Sequence, residues 1–135
     1  MNSQGHILIV DDDTELVSVL LDLLSPLGLD CTAVGTALAA LAAIQHNRFD
    51  LVLLDRCLPG ASGDDVLRQI RSHPRTASLP VMMLTALADE REMLEGFALG
   101  ADDYLAKPFH TRILVARVAA LLRSRRAEAA LSRTA

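Results

Sequence analysis

The stretch at residues 6–24, HILIVDDDTELVSVLLDLL, shows the pattern that decides the fold. Residues 6–10 form a short run that is apolar after its first residue, which is typical of a strand buried on both faces of a sheet. The leucines at positions 16, 20, 23 and 24 then have the spacing of one face of a helix. Asp13 stands where an N-cap residue is expected, so a helix is predicted to follow the strand directly.

The alternation of apolar run and amphipathic stretch repeats five times along the 135 residues. The predicted strands are residues 6–10, 30–34, 51–54, 81–84 and 103–106. The predicted helices are residues 13–24, 37–46, 64–72, 89–99 and 111–126. In the fourth helix, Met93, Leu94 and Phe97 are expected to face inward. This order predicts an α/β fold, a doubly wound five-stranded parallel sheet with helices on both faces.

The composition is that of one globular domain, because 51% of the residues are hydrophobic and 22% are charged. No apolar run reaches about 18 residues, and the start of the chain lacks the basic and apolar regions of a signal peptide. Cys31 and Cys57 fit no metal or disulfide spacing. We therefore expect a protein of the reducing cytoplasm with no membrane partner.

The charges are unevenly distributed along the chain. Residues 1–111 carry 7 basic and 16 acidic side chains, whereas residues 112–135 carry 6 arginines and one glutamate. The body of the domain is therefore expected to repel nucleic acid. Among the 13 basic residues, Lys107 is the only lysine, and Tyr104, three positions earlier, is the only tyrosine. These two single-copy residues are candidates for a specific role.

Polar side chains follow four of the five predicted strands. An aspartate triplet at residues 11–13 follows the first strand, and Asp55, Thr85 and Lys107 follow the third, fourth and fifth. In doubly wound sheets, ligands bind beyond the carboxyl ends of the strands. We therefore expect these side chains to converge at one edge of the sheet.

Converging carboxylates indicate a hard cation, because they stay ionised together only beside positive charge. Proteins hold Mg²⁺ by one or two carboxylates together with water and phosphate oxygens. A carboxylate such as Asp55 beside Mg²⁺ can attack phosphorus and form an aspartyl phosphate. Lys107 and Thr85 offer an ammonium and a hydroxyl to the phosphate oxygens. The alternative is that residues 11–13 form only a turn and a helix cap.

Four motifs carry a resemblance to a known family. They are ILIVDDD (residues 7–13), LVLLDRCLPGASG (51–63), VMMLTA (81–86) and GADDYLAKPF (100–109). Over roughly residues 6–124 the chain resembles the receiver domain of bacterial two-component response regulators. It is most similar to receivers of the OmpR/PhoB type, whose output module is a winged-helix DNA-binding domain. The resemblance implies a flavodoxin-like, CheY-like sheet with strand order 2-1-3-4-5.

The resemblance also implies roles for the acidic residues. Asp55 corresponds to the phosphoacceptor, and Asp11 and Asp12 correspond to the acidic pocket of the family. Asp12, Asp55 and the backbone carbonyl of Cys57 are the implied ligands of Mg²⁺, with Asp11 in the same metal-binding set. Asp13 matches a further acid of the family and is expected to cap the first helix.

Thr85 and Tyr104 resemble the switch pair of the family, and Lys107 resembles its characteristic lysine. A phosphoryl group adds about −1.5 to −2 charges and strong acceptor oxygens. Thr85 is expected to move toward the phosphoryl group, and Tyr104 to rotate inward into the space that Thr85 leaves. This change would repack the surface formed by the fourth helix, the last strand and the last helix.

Two apolar residues lie at positions where the family varies. Cys57 and Leu87 stand two residues after Asp55 and Thr85 respectively. Both are expected to flank the phosphoryl group, to hinder the attacking water and so to prolong the phosphorylated state. Arg56 is open to two interpretations, since it can pair with Asp55 or contact the partner kinase.

The resemblance implies a sensor histidine kinase as partner, docked on the first helix and on the loop after the last strand. It also implies a phosphorylation-dependent homodimer. Candidate salt bridges in that dimer join Asp102 and Asp103 to Arg117, with Glu95 and Arg123 as further candidates. Contact with DNA is expected only through an output domain that these residues do not include.

Residues 1–124 are predicted to form the receiver domain, and residues 125–135 a helical tail or the start of a linker to an output module. The output stays open between transcription regulation, a stand-alone receiver, and the receiver of a diguanylate cyclase or another nucleotide-signalling regulator. The domain is expected to catalyse only its own phosphoryl transfer and dephosphorylation.

A distant alternative is a phosphatase of the haloacid-dehalogenase type, which also uses an aspartate after its first strand. Asp11 and Asp13 superficially supply its D-x-D pair. Against this, the chain is too short for a cap insertion, Glu15 stands where that pattern has threonine or valine, and Asp55 would have no role. A flavodoxin-like module without phosphoryl chemistry is the third hypothesis.

Overall fold

The computed structural model describes residues 4–86, 94–95 and 97–134, with side chains as far as residue 127. Its sheet is built from β1 (Gly5–Val10), β2 (Leu29–Val34), β3 (Leu51–Asp55), β4 (Val81–Thr85) and β5 (Asp103–Ala106). The helices are α1 (Thr14–Leu24), α2 (Ala37–His46), α3 (Gly63–Ser72) and a C-terminal helix (Thr111–Thr134). A short 3-10 helix, Ser25–Leu27, follows α1. These elements confirm the predicted strands and four of the predicted helices, although the last helix continues beyond its predicted end.

The five strands form one parallel sheet in the order β2-β1-β3-β4-β5. This is the order that the family resemblance implied. A second, two-stranded antiparallel sheet pairs Cys57–Leu58 with Ala61–Ser62 immediately after β3. It turns the chain from the end of β3 into α3.

Two apolar layers cover the sheet, one on each face. Side chains alternate along β3, so Val52 and Leu54 join one layer while Leu51 and Leu53 join the other. The first layer includes residues of α2 and α3, and the second includes residues of α1 and the C-terminal helix. The predicted doubly wound arrangement is therefore confirmed.

The fourth predicted helix is described only in part. Residues 94, 95, 97 and 98 are helical, whereas residues 87–93 and 96 lie outside the described residues, so the prediction for Met93 is not tested. The inward orientation predicted for Leu94 is wrong, because its side chain is 62% exposed, whereas Phe97 is 43% exposed but has its ring 6.1 Å from that of the buried Tyr104. Leu99 packs against the core instead. Apolar residues at positions 93, 94, 97 and 99 do not select a single face, so periodicity alone could not choose the buried side.

Side-chain caps fix the starts of the helices that border the sheet edge. Asp13 Oδ1 accepts hydrogen bonds from the backbone N–H groups of Glu15 and Leu16, at 3.0 and 3.2 Å, as predicted for an N-cap. Ser62, which the sequence pattern did not single out, accepts from the N–H of Asp64 at 3.1 Å and caps α3. Within the described part of the chain, no helix combines the length and hydropathy needed to cross a membrane.

Candidate functional site

Four polar residues lie where neighbouring strands end. Asp11 follows β1, Asp55 ends β3, Thr85 ends β4 and Lys107 follows β5. Because these strands are neighbours in the parallel sheet, their carboxyl ends bring the four residues to one edge. Asp11, Asp55 and Thr85 are only 3%, 6% and 3% exposed. Such burial of polar side chains requires partners and marks this edge as the candidate site.

Asp11, Asp12 and Asp55 form an acidic cluster at this edge. One carboxylate oxygen from each residue lies within 4.8 Å of the others, and only Asp12 is exposed. The N–H of Asp13 donates to Asp11 Oδ1 at 3.0 Å and orients that carboxylate. The side chain of Asp13 itself caps α1, so it serves the helix rather than the cluster.

Lys107 supplies the cation that faces this cluster. Its Nζ lies 2.8 Å from Asp11 Oδ2 and 3.5 Å from Asp55 Oδ1. The N–H of Lys107 also donates to the carbonyl of Thr85 at 2.6 Å, which ties the loop after β5 to the end of β4. The Lys107–Pro108 peptide bond is cis. Lys107 is therefore held through both its backbone N–H and its side-chain ammonium.

The electrostatics of the cluster are set by burial and by charge. Burial raises the pKa of Asp55, and the negative charge of Asp11 raises it further, although Lys107 and the N–H of Cys57 act in the opposite direction. Burial lowers the pKa of Lys107, but its hydrogen bond to Asp11 and the charges of Asp11 and Asp55 outweigh this and raise the pKa overall. A single ammonium therefore leaves the carboxylates short of positive charge.

The chain directly after Asp55 is held close to its carboxylate. The N–H of Cys57 donates to Asp55 Oδ1 at 3.3 Å, and the thiol of Cys57 is exposed. A Cβ on Gly63 would lie 2.3 Å from the carbonyl oxygen of Asp55, so only glycine permits this approach of α3 to the site. Leu87, the other residue predicted to flank the site, lies outside the described residues.

Tyr104 lies in β5 with its side chain turned into the core. It is 2% exposed, and its ring centroid is 6.1 Å from that of Phe97. The neighbouring strand β4 ends in Thr85, which pairs with Ala106 in the sheet. The structure thus places Thr85 and Tyr104 on adjacent strands, with Tyr104 in the inward position.

Arg56, whose role the sequence left open, contacts two acidic residues. Its Nη2 lies 3.2 Å from Asp64 Oδ2 and 3.4 Å from Glu95 Oε2. These partners are 8 and 39 positions away along the chain. The Asp64 pair could have been suspected, because an acidic residue is favoured in the first turn of a helix. No local sequence signal indicates the pair with Glu95.

Four of the five residues proposed for salt bridges in a dimer, Asp102, Asp103, Glu95 and Arg117, have ion-pair partners within the chain. Asp103 pairs with Arg117 at 3.2 Å, and Asp102 pairs with Arg71 at 2.7 Å. Arg71 also donates to the carbonyls of Gly100 and Leu79, at 2.9 and 2.6 Å. Sequence reasoning missed Arg71, which joins α3 to the segments that precede β4 and β5.

The acidic cluster suits a divalent metal ion. Oxygen ligands from three carboxylates on the same edge match the preference of Mg²⁺ for hard oxygen donors. Burial and the charge of Asp11 raise the pKa of Asp55 despite Lys107, so added positive charge would favour the ionised form of Asp55. Both observations fit a bound cation at Asp11, Asp12 and Asp55.

Comparisons with known proteins agree with this arrangement. The family described as "Response regulator receiver domain" matches residues 7–119. The chain is 45% identical over 118 residues to the DNA-binding response regulator MtrA of Mycobacterium tuberculosis, a match covering 87% of this chain and 50% of the relative. It is 44% identical over 124 residues to the transcriptional regulatory protein GltR of Pseudomonas aeruginosa, covering 91% of this chain and 51% of the relative.

The same similarity extends to solved structures. A response regulator of Chloroflexus aurantiacus superposes with a TM-score of 0.84 at 39% identity, over 88% of this chain and 98% of that one. In contrast, the chain spans about half the length of the curated relatives that it matches. The similarity therefore concerns one domain of those longer proteins.

Proposed function

The chain belongs to the response regulator receiver domain family, and on this premise we propose that it accepts a phosphoryl group from a sensor histidine kinase on Asp55. The observation that carries the proposal is the junction at the sheet edge, where Asp55 lies beside Asp11, Asp12 and Lys107. Response regulators, the proteins that carry domains of this family, are signalling proteins rather than conventional enzymes.

In the proposed transfer, a carboxylate oxygen of Asp55 attacks the phosphorus of a phosphohistidine. The new O–P bond forms as the P–N bond breaks, and the leaving imidazole keeps the electron pair and takes a proton from water. Asp11, Asp12, Asp55 and the backbone carbonyl of Cys57 would hold Mg²⁺, which when bound neutralises charge on the phosphoryl oxygens.

The residues around Asp55 would orient the phosphoryl group. Lys107, already within 3.5 Å of Asp55, offers its ammonium to one phosphoryl oxygen, and the hydroxyl of Thr85 offers a hydrogen bond to another. Movement of Thr85 toward the phosphoryl group would favour the inward position of Tyr104. Cys57 and Leu87 would slow hydrolysis by limiting access of water.

The test is incubation of the protein with acetyl phosphate and Mg²⁺, followed by intact-mass measurement and peptide mapping. We expect one added phosphoryl group, located on Asp55, and none in the Asp55→Asn variant. Persistent labelling of that variant would contradict the assignment. Continuous turnover of acetyl phosphate that depends on Asp11 would support a haloacid-dehalogenase-type phosphatase instead.

We further propose that phosphorylation controls dimerisation through the surface formed by residues 94–98, β5 and the C-terminal helix, and through it a transcriptional output. The names of the relatives MtrA and GltR support a DNA-binding output in a longer protein. In this proposal residues 1–124 are the receiver and residues 125–135 its helical tail. Synthesis of a cyclic dinucleotide by the complete regulator would favour the diguanylate cyclase alternative.

A further inference from the structure

Arg56 directly follows Asp55, and its side chain joins the end of β3 to two helical segments. A single nitrogen of its guanidinium, Nη2, lies within 3.2 Å of Asp64 in α3 and 3.4 Å of Glu95. The Arg56 and Asp64 side chains are each 15% exposed, whereas Glu95 is 58% exposed. The guanidinium is thus a largely buried bridge, and its contact with Glu95 is the outer and more easily broken half.

The backbone of Arg56 cannot move independently of the site. Its N–H donates to the carbonyl of Leu84 at 2.9 Å, and its carbonyl accepts from the N–H of Gly63 at 2.7 Å. Asp55 precedes it directly. A displacement of Asp55 is therefore expected to displace the side chain of Arg56 as well.

Glu95 connects this bridge to the aromatic pair of Phe97 and Tyr104. The carbonyl of Glu95 accepts a hydrogen bond from the N–H of Leu99 at 3.1 Å, so Glu95 belongs to the same helical segment as Phe97. The ring of Phe97 in turn lies 6.1 Å from the ring of Tyr104. The Arg56–Glu95 contact therefore coexists with the inward position of Tyr104.

We propose that Arg56, acting through Glu95, is a positioning residue that favours the inward position of Tyr104 and so strengthens binding of a phosphoryl group at Asp55. The inference rests on the proposed function. An interaction that stabilises the binding-competent conformation raises ligand affinity by up to the same factor, and by the full factor when that conformation is the minor one before binding. Because Glu95 is more than half exposed, solvent screens the pair, and the expected factor is about two- to fivefold.

The experiment titrates the full chain with beryllofluoride in the presence of Mg²⁺, at a protein concentration where sedimentation shows monomers. Tyrosine fluorescence is the readout, since the chain has one tyrosine and no tryptophan, so the signal belongs to Tyr104. The variants are Glu95→Gln, Arg56→Gln and their combination. Asp65→Asn is the matched control, because it removes an exposed carboxylate that pairs with Arg68 at 2.7 Å, away from Arg56.

We expect Glu95→Gln to raise the Kd for beryllofluoride about two- to fivefold at low ionic strength, while Asp65→Asn leaves it unchanged. In the Arg56→Gln background, Glu95→Gln should leave the Kd unchanged. At about 1 M salt, where charges are screened within roughly 3 Å, the ratio of the Glu95→Gln Kd to the wild-type Kd should approach one.

Equal Kd values for Glu95→Gln and Asp65→Asn would overturn the inference, and so would an effect that persists in the Arg56→Gln background. If Arg56→Gln fails to fold, Glu95→Gln with its salt dependence decides alone. A wild-type protein that neither responds to beryllofluoride nor is labelled by acetyl phosphate would overturn the proposed function and the inference with it. A responding wild type with unaffected variants would overturn the inference only.

Discussion

Lys107 supplies positive charge to the carboxylates of the site. It is the only lysine of the chain, and its Nζ lies 2.8 Å from Asp11 and 3.5 Å from Asp55. An ammonium is a compact point charge on a flexible stem, whereas a guanidinium is a planar fork that prefers bidentate partners. The twelve arginines elsewhere in the chain thus do not provide an equivalent group.

We expect Lys107→Arg to accept phosphate from acetyl phosphate but to signal poorly. The positive charge is kept, so transfer to Asp55 should continue, whereas the larger guanidinium should not follow the phosphoryl group as the ammonium does. Intact mass measures uptake, and sedimentation velocity measures phosphate-driven dimerisation. Normal dimerisation of the labelled variant would show that the prediction is wrong.

Asp55 is expected to lower the stability of the metal-free fold at neutral pH. Its pKa is raised in the folded state, mainly by burial and then by Asp11, so the folded protein binds more protons than the unfolded chain above the ordinary carboxyl pKa of about 3.9. This group therefore makes the free energy of unfolding fall as pH rises from that value to the raised pKa. Asp55→Asn should remove this loss.

The measurement is urea unfolding of wild type and Asp55→Asn in chelator at a series of pH values. The stability advantage of the variant should grow as the pH rises above about 4 and then level off. Asp65→Asn, which removes an exposed carboxylate from α3, serves as a control. An advantage that shrinks with rising pH would refute the raised pKa.

Cys57→Asn is expected to shorten the lifetime of the phosphorylated state. Cys57 donates its N–H to Asp55 and presents an exposed thiol, which is a weaker hydrogen-bonding group than an amide. An amide can hydrogen-bond and orient the attacking water. The decay of acid-stable label after removal of acetyl phosphate measures this, with Cys31→Ser as the control at the other cysteine. An unchanged rate would remove Cys57 from the residues proposed to protect the phosphoryl group.

At the scale of elements, the start of α3 is fitted tightly against the end of β3. A Cβ at Gly63 would meet the Asp55 carbonyl oxygen at 2.3 Å and the Arg56 Cα at 2.9 Å, both of them backbone atoms that do not yield easily. The approach also lets the N–H of Gly63 bond the Arg56 carbonyl at 2.7 Å. The position of Asp55 thus depends on a glycine eight residues later.

We expect Gly63→Ala to lower the free energy of unfolding by about 1–3 kcal/mol, because the helix must shift to admit the methyl group. The same shift should slow labelling of Asp55. Gly35→Ala is the control, since a Cβ there meets Asp12 Cα at an ordinary 3.7 Å. Urea denaturation gives the stability, and equal effects of the two substitutions would count against a steric cause.

The elements also show which parts of the structure the sequence can predict. Strand β3 was predicted from its continuous apolar run, and all five of its residues are buried. The role of Asp13 was predicted because a helix cap depends on local spacing. The inward orientation of Leu94 was mispredicted, since the apolar residues around it do not define a single helix face. The pair between Arg56 and Glu95 joins residues 39 positions apart, and only the fold brings them together.

At the scale of the whole molecule, four of the candidate dimer residues, Asp102, Asp103, Glu95 and Arg117, already form ion pairs within one chain. Arg117 contacts Asp103 and the carbonyl of Tyr104, at 3.2 and 2.9 Å. A guanidinium carries five N–H donors, so a dimer that uses Arg117 either shares this group between β5 and the partner or exchanges one of these contacts. The free energy of dimerisation therefore depends on β5, the strand that carries Tyr104.

We expect Arg117→Gln to weaken the phosphorylation-dependent dimer by roughly three- to tenfold, since a two-fold interface repeats each lost contact. Arg68→Gln, which breaks an exposed pair within α3, is the matched control. Sedimentation equilibrium of the labelled proteins gives the dissociation constants. Indistinguishable values for the two variants would exclude Arg117 from the interface.

The solitary lysine has a further consequence for chemical labelling. Lys107 is the only side-chain amine in these 135 residues, and its raised pKa and two carboxylate contacts make it a slow nucleophile toward acylating reagents. Any event that draws Asp11 or Asp55 away from it changes that reactivity. The rate at which this side-chain amine is acylated, followed by the mass of the peptide that contains Lys107, therefore reports on the contacts of the site.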